Sequence, residues 1–289
     1  MAGHLHFEAP SALDYFAALV AQDQGFPLLE SAVAMAQDDD PGLDVQAVLA
    51  RVDELAQRLK TRMAGDAPAL QRLRLLNRFF FQELGFAGNV NNYYDRRNSL
   101  LPAVLESRRG IPITLAVLYI EMAGQAGLKA HGISFPGHFL VKVTMPRGEV
   151  VIDPFSGVSL SREDLEGRLQ PYREQRGAVG EDEVPLGLFL QACSERDLIA
   201  RMLNNLKEIH RSHCDWLRLE RVQARLVVLL PTAWEERRDH AMVLAELGAH
   251  EGASRALAIY LQKCPKAWDA EVLRRHLAAW RTGNGPTSP

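Results

Sequence analysis

Three stretches within residues 98–157 decide the fold: NSLLPAVLESRRGIPITLAVLY (98–119), GISFPGHFLVKV (132–143) and VIDPFSG (151–157). In the first, Asn98 and Ser99 are good N-caps for a helix over Leu100–Ser107. A second helix begins at Ile111 or Pro112, because proline suits a first turn, and stops at Gly127, a natural residue just past a helix end. Then the periodicity changes. Leu128–Phe135, His138–Thr144 and Glu149–Asp153 are short and rich in β-branched or alternating apolar residues. Pro136-Gly137 and Pro146-Arg147-Gly148 separate them as turn signals. The spacing predicts an antiparallel meander of three strands, with His138 just after a turn and Asp153 at the end of a strand.

Working outward, the upstream chain reads as helix. Ala12–Gln22, Leu28–Gln37, Val45–Met63 and Ala69–Leu84 repeat apolar residues at three- and four-residue spacing. Breaks are expected at Gly25–Pro27, Asp38–Gly42 and Gly65–Pro68. Gly85–Asn98 (GFAGNVNNYYDRRN) is rich in Gly and Asn and reads as a loop. Downstream, Ser161 stands three residues before Asp164, as in a capping box, and predicts one more short helix. Tyr172–Val184 is polar and reads as a linker or loop.

After Glu195 helices resume with an internal repeat. Cys214-Asp-Trp216 lies 34 positions before Gly248-Ala-His250, and Leu219/Ala253, Val222/Ala256, Leu226/Tyr260 and Pro231/Pro265 match at the same offset. A 34-residue period closed by proline is the tetratricopeptide pattern. A last helix, Trp268–Trp280, would cap the stack. The expected class is α+β and predominantly helical: a helical segment with a small-sheet core over 1–190, repeats with a capping helix over 195–282, and a tail over 283–289.

Composition bounds the function. The formal net charge of -3 at pH 7 leaves no basic excess to neutralise a phosphate backbone, so no nucleic-acid partner is expected. The longest apolar run, Gly110–Ile120, is far short of the ~20 residues of a membrane span. The first residues carry neither a basic nor an apolar signal region. Three widely spaced cysteines (Cys193, Cys214 and Cys264) form no CxxC pair. They read as reduced structural residues of a cytoplasmic protein.

A helix bearing a nucleophile, then a His strand, then an Asp strand is the order of parts in papain-like and transglutaminase cores. There the helix N-terminus and the His activate a Cys, and the Asp orients the His. The three opening stretches resemble the SirB-type transglutaminase-like family, in which such a core precedes tetratricopeptide repeats; the family also resembles part of a eukaryotic F-box protein. The resemblance runs from about Leu29 to Trp280. It implies the pattern Gly-x-Cys-x-x-x-Ala with a further Gly eleven positions on. Gly110, Ala116 and Gly127 fit that pattern, so the Cys position falls on Pro112, while His138 and Asp153 fall on the other two. Proline there removes both the thiol and a backbone N–H of the kind that lines an oxyanion hole, worth about 2.7–4 kcal/mol in such sites.

Alternatives remain open in the sequence. Thr114 lies about 200° around the helix from Pro112, and Ser134 precedes the His. His138 and Asp153 are equally a buried hydrogen-bonded pair that rigidifies a core. Tyr93, Tyr94 and Asn98 in the Asn/Tyr-rich loop, with Glu106 and Arg109 in the charged ESRRG run, are candidate groove residues. His6, His210, His213 and His240 are scattered, and His210 and His213 with Cys214 lack a fourth ligand, so neither metal nor cofactor is expected. The favoured reading is a non-catalytic protein- or peptide-binding scaffold or regulator. The alternatives are a hydrolase using the His138–Asp153 pair with another nucleophile or water, and a regulator of transcription or translation acting through protein contacts.

Overall fold

The computed structural model describes residues 10–23, 25–175 and 184–281. The expectations for His6, for 176–183 of the polar stretch and for the 283–289 tail lie outside them. In chain order the helices are α1 (Ala12–Leu19), α2 (Leu28–Ala34), α3 (Val45–Lys60), α4 (Ala69–Asn77), α5 (Leu101–Ser107), α6 (Pro112–Gln125), α7 (Arg162–Gln175), α8 (Leu186–Phe189), α9 (Glu195–Ser212), α10 (Trp216–Leu229), α11 (Trp234–Glu246), α12 (His250–Lys263) and α13 (Ala270–Arg281). The strands are β1 (Ala87–Gly88), β2 (Arg109–Gly110), β3 (Lys129–Ile133), β4 (Leu140–Met145), β5 (Gly148–Asp153) and β6 (Val158–Leu160). No helix among the described residues is long and apolar enough to cross a membrane. Packing divides the described residues into two compact units, those within 23–36 and 42–202, and those within 10–22, 37–41 and 203–281.

The first unit is built on α6. Every residue from Pro112 to Tyr119 is buried, as are Met122 and Ala123, so this helix is apolar on all sides, as a helix enclosed by protein must be. Ile111 is its N-cap and Pro112 opens its first turn, where the missing N–H costs no helical bond. The sheet is an antiparallel meander, β3-β4-β5-β6, with Ile133 opposite Leu140, Val141 opposite Ile152 and Asp153 opposite Val158. It has four strands rather than three. The extra one, β6, spans only three residues, and the turn that follows Asp153 sets it in place. Ile133, Leu140 and Val151 form a core cluster with Leu165 and Leu169.

Three other expectations are corrected. Asn98 and Ser99 do not cap α5, whose N-cap is Leu100; they lie in a 3-10 turn over Arg96–Ser99 capped by Asp95. Tyr172–Gln175 belong to α7, which carries Pro171 within it. The single helix expected over Ala69–Leu84 ends as α at Asn77 and continues as a π-helical turn, Arg78–Glu83. That turn buries Phe79 and Phe80 and stacks Phe81 on Tyr119, ring centroids 5.7 Å apart.

The second unit holds the repeats. α10 starts at Trp216 and α12 at His250, and both run 14 residues, so the 34-residue offset is structural. The residues two before each start, Cys214 and Gly248, both take left-handed φ, 53° and 73°. α1 packs here: Phe16 is fully buried, with the Arg225 guanidinium 4.8 Å from its ring centroid. Arg225, 1% exposed, is held by both oxygens of Asp38, at 2.6 and 2.8 Å.

Candidate functional site

His138 leaves a tight turn. Its N–H donates to Phe135 O at 3.1 Å, with Pro136 second and Gly137, at φ 68°, third. That is the residue pattern of a type II turn, whose third position requires positive φ. Arg201 on α9 clamps the turn. One guanidinium N–H donates to Ser134 Oγ at 2.6 Å and another to the His138 carbonyl at 3.0 Å, and the group lies over the Phe139 ring at 5.4 Å. Ser134, raised as a stand-in nucleophile, is thus the acceptor of an arginine.

Asp153 ends β5 and faces the imidazole. His138 Nε2 lies 2.8 Å from Asp153 Oδ1, which also accepts the Phe155 N–H at 2.9 Å. Both terminal nitrogens of Arg168 on α7 donate to Oδ2 at 3.2 Å. Burial alone would raise the Asp153 carboxyl. The His138 hydrogen bond and charge, the Phe155 N–H and the Arg168 charge together outweigh it and hold the pKa at about 2. The carboxylate is therefore ionised and saturated with donors. The His138 side chain keeps 23% of its surface exposed against 5% for Asp153, so the pair has one open side.

Phe155 joins this pair to the loop over 85–98. Its ring meets His138 edge-on at 6.3 Å and Tyr93 at 6.0 Å. Its carbonyl accepts the Gly88 N–H at 2.8 Å. A Cβ at Gly88 would run into the Phe155 ring, so only glycine permits this approach. Tyr93 in turn packs edge-on against Tyr94 at 5.4 Å, and Tyr94 is 80% exposed. Burial, and then the neighbouring Tyr94, push the Tyr93 phenol up. A row of rings, His138–Phe155–Tyr93–Tyr94, results.

The remaining candidates divide. Asn98 is buried and does not line a groove: its amide donates to the carbonyls of Asn92 and Tyr93 at 2.6 and 3.1 Å and accepts from Asn89 at 3.0 Å. It staples the loop that carries the tyrosines. Glu106 pairs with Arg97 at 3.9 Å on the surface, and Arg109 donates to the carbonyls of Gly85 and Arg108. Thr114 spends its hydroxyl on the carbonyls of Asn98 and Ile111, at 2.7 and 3.0 Å. The fold does bring one cysteine to the sheet: Cys193 N–H donates to Gly132 O at 3.0 Å. Burial, then the Asp197 charge, push its thiol up to about 11, so it stays neutral and a poor nucleophile near pH 7.

His210 is buried beside Asp215 at 3.9 Å, His213 Nδ1 lies 2.8 Å from Ile209 O, and His240 pairs with Glu220 at 3.0 Å. The described residues contain no group of three metal-ligating side chains. Sequence reasoning missed Phe155, Arg168 and Arg201. Phe155 was within reach, two residues past Asp153 in VIDPFSG. Nothing in the pattern of α7 or α9 marks the other two.

Comparison with known proteins agrees with this architecture. Residues 46–204 match the family described as transglutaminase-like superfamily, and residues 206–278 match tetratricopeptide repeat. The chain belongs to the transglutaminase-like superfamily and to the UPF0162 family, and in it this domain precedes the tetratricopeptide repeats. It is 35% identical to the UPF0162 protein of Xylella fastidiosa over 256 residues, 88% of this chain and 90% of that one. Over 254 residues it is 25% identical to the UPF0162 protein of Vibrio cholerae, covering 87% and 92%. The UPF0162 protein YchA of Escherichia coli is 25% identical over 247 residues, 83% and 86%. Among solved structures, menin aligns with 93% of this chain and 69% of its own at 14% identity and a TM-score of 0.42, a likeness too loose to bear on function.

Proposed function

We propose that this protein is a non-catalytic scaffold that binds a protein or peptide, using the aromatic row beside His138 in one unit and the tetratricopeptide repeats in the other. The observation that carries this reading is Pro112. At the position where the family pattern has its cysteine stands a buried residue with neither thiol nor N–H. The nearby alternatives are already engaged: Thr114 by two carbonyls, Ser134 by Arg201 and Cys193 as a neutral thiol. Asp153 holds His138 while itself saturated by Arg168 and Phe155, which suits a rigid pair better than a proton relay. Free cysteines accord with a cytoplasmic setting.

The partly exposed imidazole favours one competing reading, a hydrolase in which His138 activates water. The deciding experiment incubates the full chain with amide, thioester and ester substrates and with a panel of electrophilic probes. The scaffold reading expects no turnover and no labelling dependent on His138. Turnover abolished by His138→Ala with unchanged thermal stability would refute it. On the binding side, Tyr93→Ser with Tyr94→Ser should release a co-purifying partner without lowering the melting temperature by more than about 2 °C.

A further inference from the structure

Within the repeats, the C-terminal part of α9 together with α10 and α11 lines a cavity of about 330 Å3. Trp216 and Leu219 of α10 and Met242 and Val243 of α11 give it an apolar wall. Gln223 of α10 lines it too, and is 0% exposed. The Gln223 amide nitrogen donates to Glu236 O at 2.9 Å and to Glu236 Oε2 at 2.5 Å. Its carbonyl oxygen, Oε1, is buried and receives no donor from the described residues. Turning the amide over would set that oxygen against the two Glu236 acceptors, so Glu236 fixes the orientation. A buried acceptor left unanswered is costly. Placed on a cavity, it calls for an N–H from outside the chain.

The cations of the lining already have their anions. Lys207 spends two of its three N–H groups on Glu236 and Asp239, both at 2.8 Å. Arg238 donates to Asp239 at 2.8 and 3.0 Å and to Asp269 at 2.9 Å. Arg211 pairs with Glu208, and Glu246, the remaining charged residue of the lining, is exposed. An anionic ligand would have to displace one of these carboxylates, and a cationic one would be set beside three positive charges. The ligand group that suits the cavity is therefore uncharged. It carries an N–H for Gln223 Oε1, an acceptor for the third N–H of Lys207, and apolar surface for the wall. A peptide unit with an aliphatic or aromatic side chain has all three.

We propose that this cavity takes one uncharged, apolar residue of a partner peptide, with the main-chain N–H of that residue donated to Gln223 Oε1. Its side chain packs on Trp216, Leu219, Met242 and Val243. The proposal rests on the scaffold reading and specifies what the repeats recognise; it shares no residue with the aromatic row beside His138.

The test selects a displayed library of random peptides against the full chain. The peptides obtained are synthesised with both ends blocked, and their affinities are measured by calorimetry. The expected result is a shared apolar residue whose N-methylation, which deletes the donor, weakens binding roughly tenfold or more. Met242→Lys sets a charge in the apolar wall and should weaken binding as much. Met242 is only partly buried, so the melting temperature should stay close to the original. Gln223→Met, which removes the acceptor at similar length, should act likewise; if it fails to fold, the N-methylated peptides carry the test with the original chain. Affinity within twofold of the original for both the N-methylated peptides and Met242→Lys overturns the proposal. If those same peptides are lost to Tyr93→Ser with Tyr94→Ser, the scaffold reading stands without it. Selected peptides that require an acidic residue or a free carboxylate also overturn it. So does a selection that returns no binding peptide, while the scaffold reading still answers to its own turnover assay.

Discussion

Asp153→Asn is the most informative single change, because it preserves shape and removes one charge. In the folded protein burial would raise the carboxyl, but His138, the Phe155 N–H and Arg168 hold it at about 2 against the ordinary 3.8. A displacement of that size contributes about 2 kcal/mol of folding stability at neutral pH. The sign follows from the direction. A depressed carboxyl adds stability that is whole above about pH 3.8 and is lost as pH falls through about 2. Asparagine adds a second cost: whichever way its amide turns, the NH2 faces either the Arg168 nitrogens, now 3.2 Å from Oδ2, or the Phe155 N–H. Donors left without an acceptor cost about 1–3 kcal/mol. The variant should therefore lose about 3–5 kcal/mol at pH 7, measured by urea unfolding followed by the near-UV circular dichroism of the tyrosines, four of which (Tyr93, Tyr94, Tyr119 and Tyr172) lie in the same unit as Asp153. The deficit should narrow by up to about 2 kcal/mol between pH 5 and pH 2. All other carboxylates are common to both proteins, so the difference isolates this one. A deficit below about 0.5 kcal/mol at pH 7, or one that does not change with pH, would refute the account of Asp153 as a charged anchor.

Other substitutions probe other parts of the molecule. Gly88→Ala should cost about 1–3 kcal/mol by forcing Phe155 aside; an unchanged melting temperature and near-UV circular dichroism would contradict the close packing described. Pro112→Cys should give no measurable amide or thioester turnover, since Asp153 stays saturated by Arg168; turnover in a stopped assay would point to a site still poised for chemistry. Asp38→Ala strands the buried Arg225 guanidinium and should cost about 3–5 kcal/mol in chemical denaturation. Cys214→Gly should raise stability by about 1 kcal/mol, by relieving left-handed strain at φ 53°, and a lower melting temperature would count against that strain.

Local signals explain which features were legible in the sequence. Pro112 and Gly127 mark α6 because proline and glycine act through their own backbones, and Ser161 with Asp164 forms the expected box, with bonds of 2.8 and 3.1 Å. The 34-residue offset was readable because repetition needs no knowledge of what packs where. His138 and Asp153 could be paired only through a resemblance, and the structure puts them 2.8 Å apart. What escaped was decided at long range. Asn98 looks like a helix cap in sequence, yet its amide is drawn to the Asn92 and Tyr93 carbonyls. The π-helical turn at Arg78–Glu83 has no propensity signature; it follows from seating three consecutive phenylalanines around Tyr119 and Gly157. Arg201 reaches Ser134 across 67 residues of chain, a partnership no local window contains.

The matched left-handed residues Cys214 and Gly248 bear on how such a chain can change length. Each opens a 14-residue helix, and each helix ends in the same way 34 residues apart, with Leu230 N–H bonded to Leu226 O and Cys264 N–H to Tyr260 O. Removing residues 215–248 would join Cys214 to Ala249 and recreate a junction of the same hand. Insertion of another module would do so as well. Gain or loss in this part of the protein is thus quantised: whole repeats can come and go by recombination with the seams intact, whereas any other length change must break a turn.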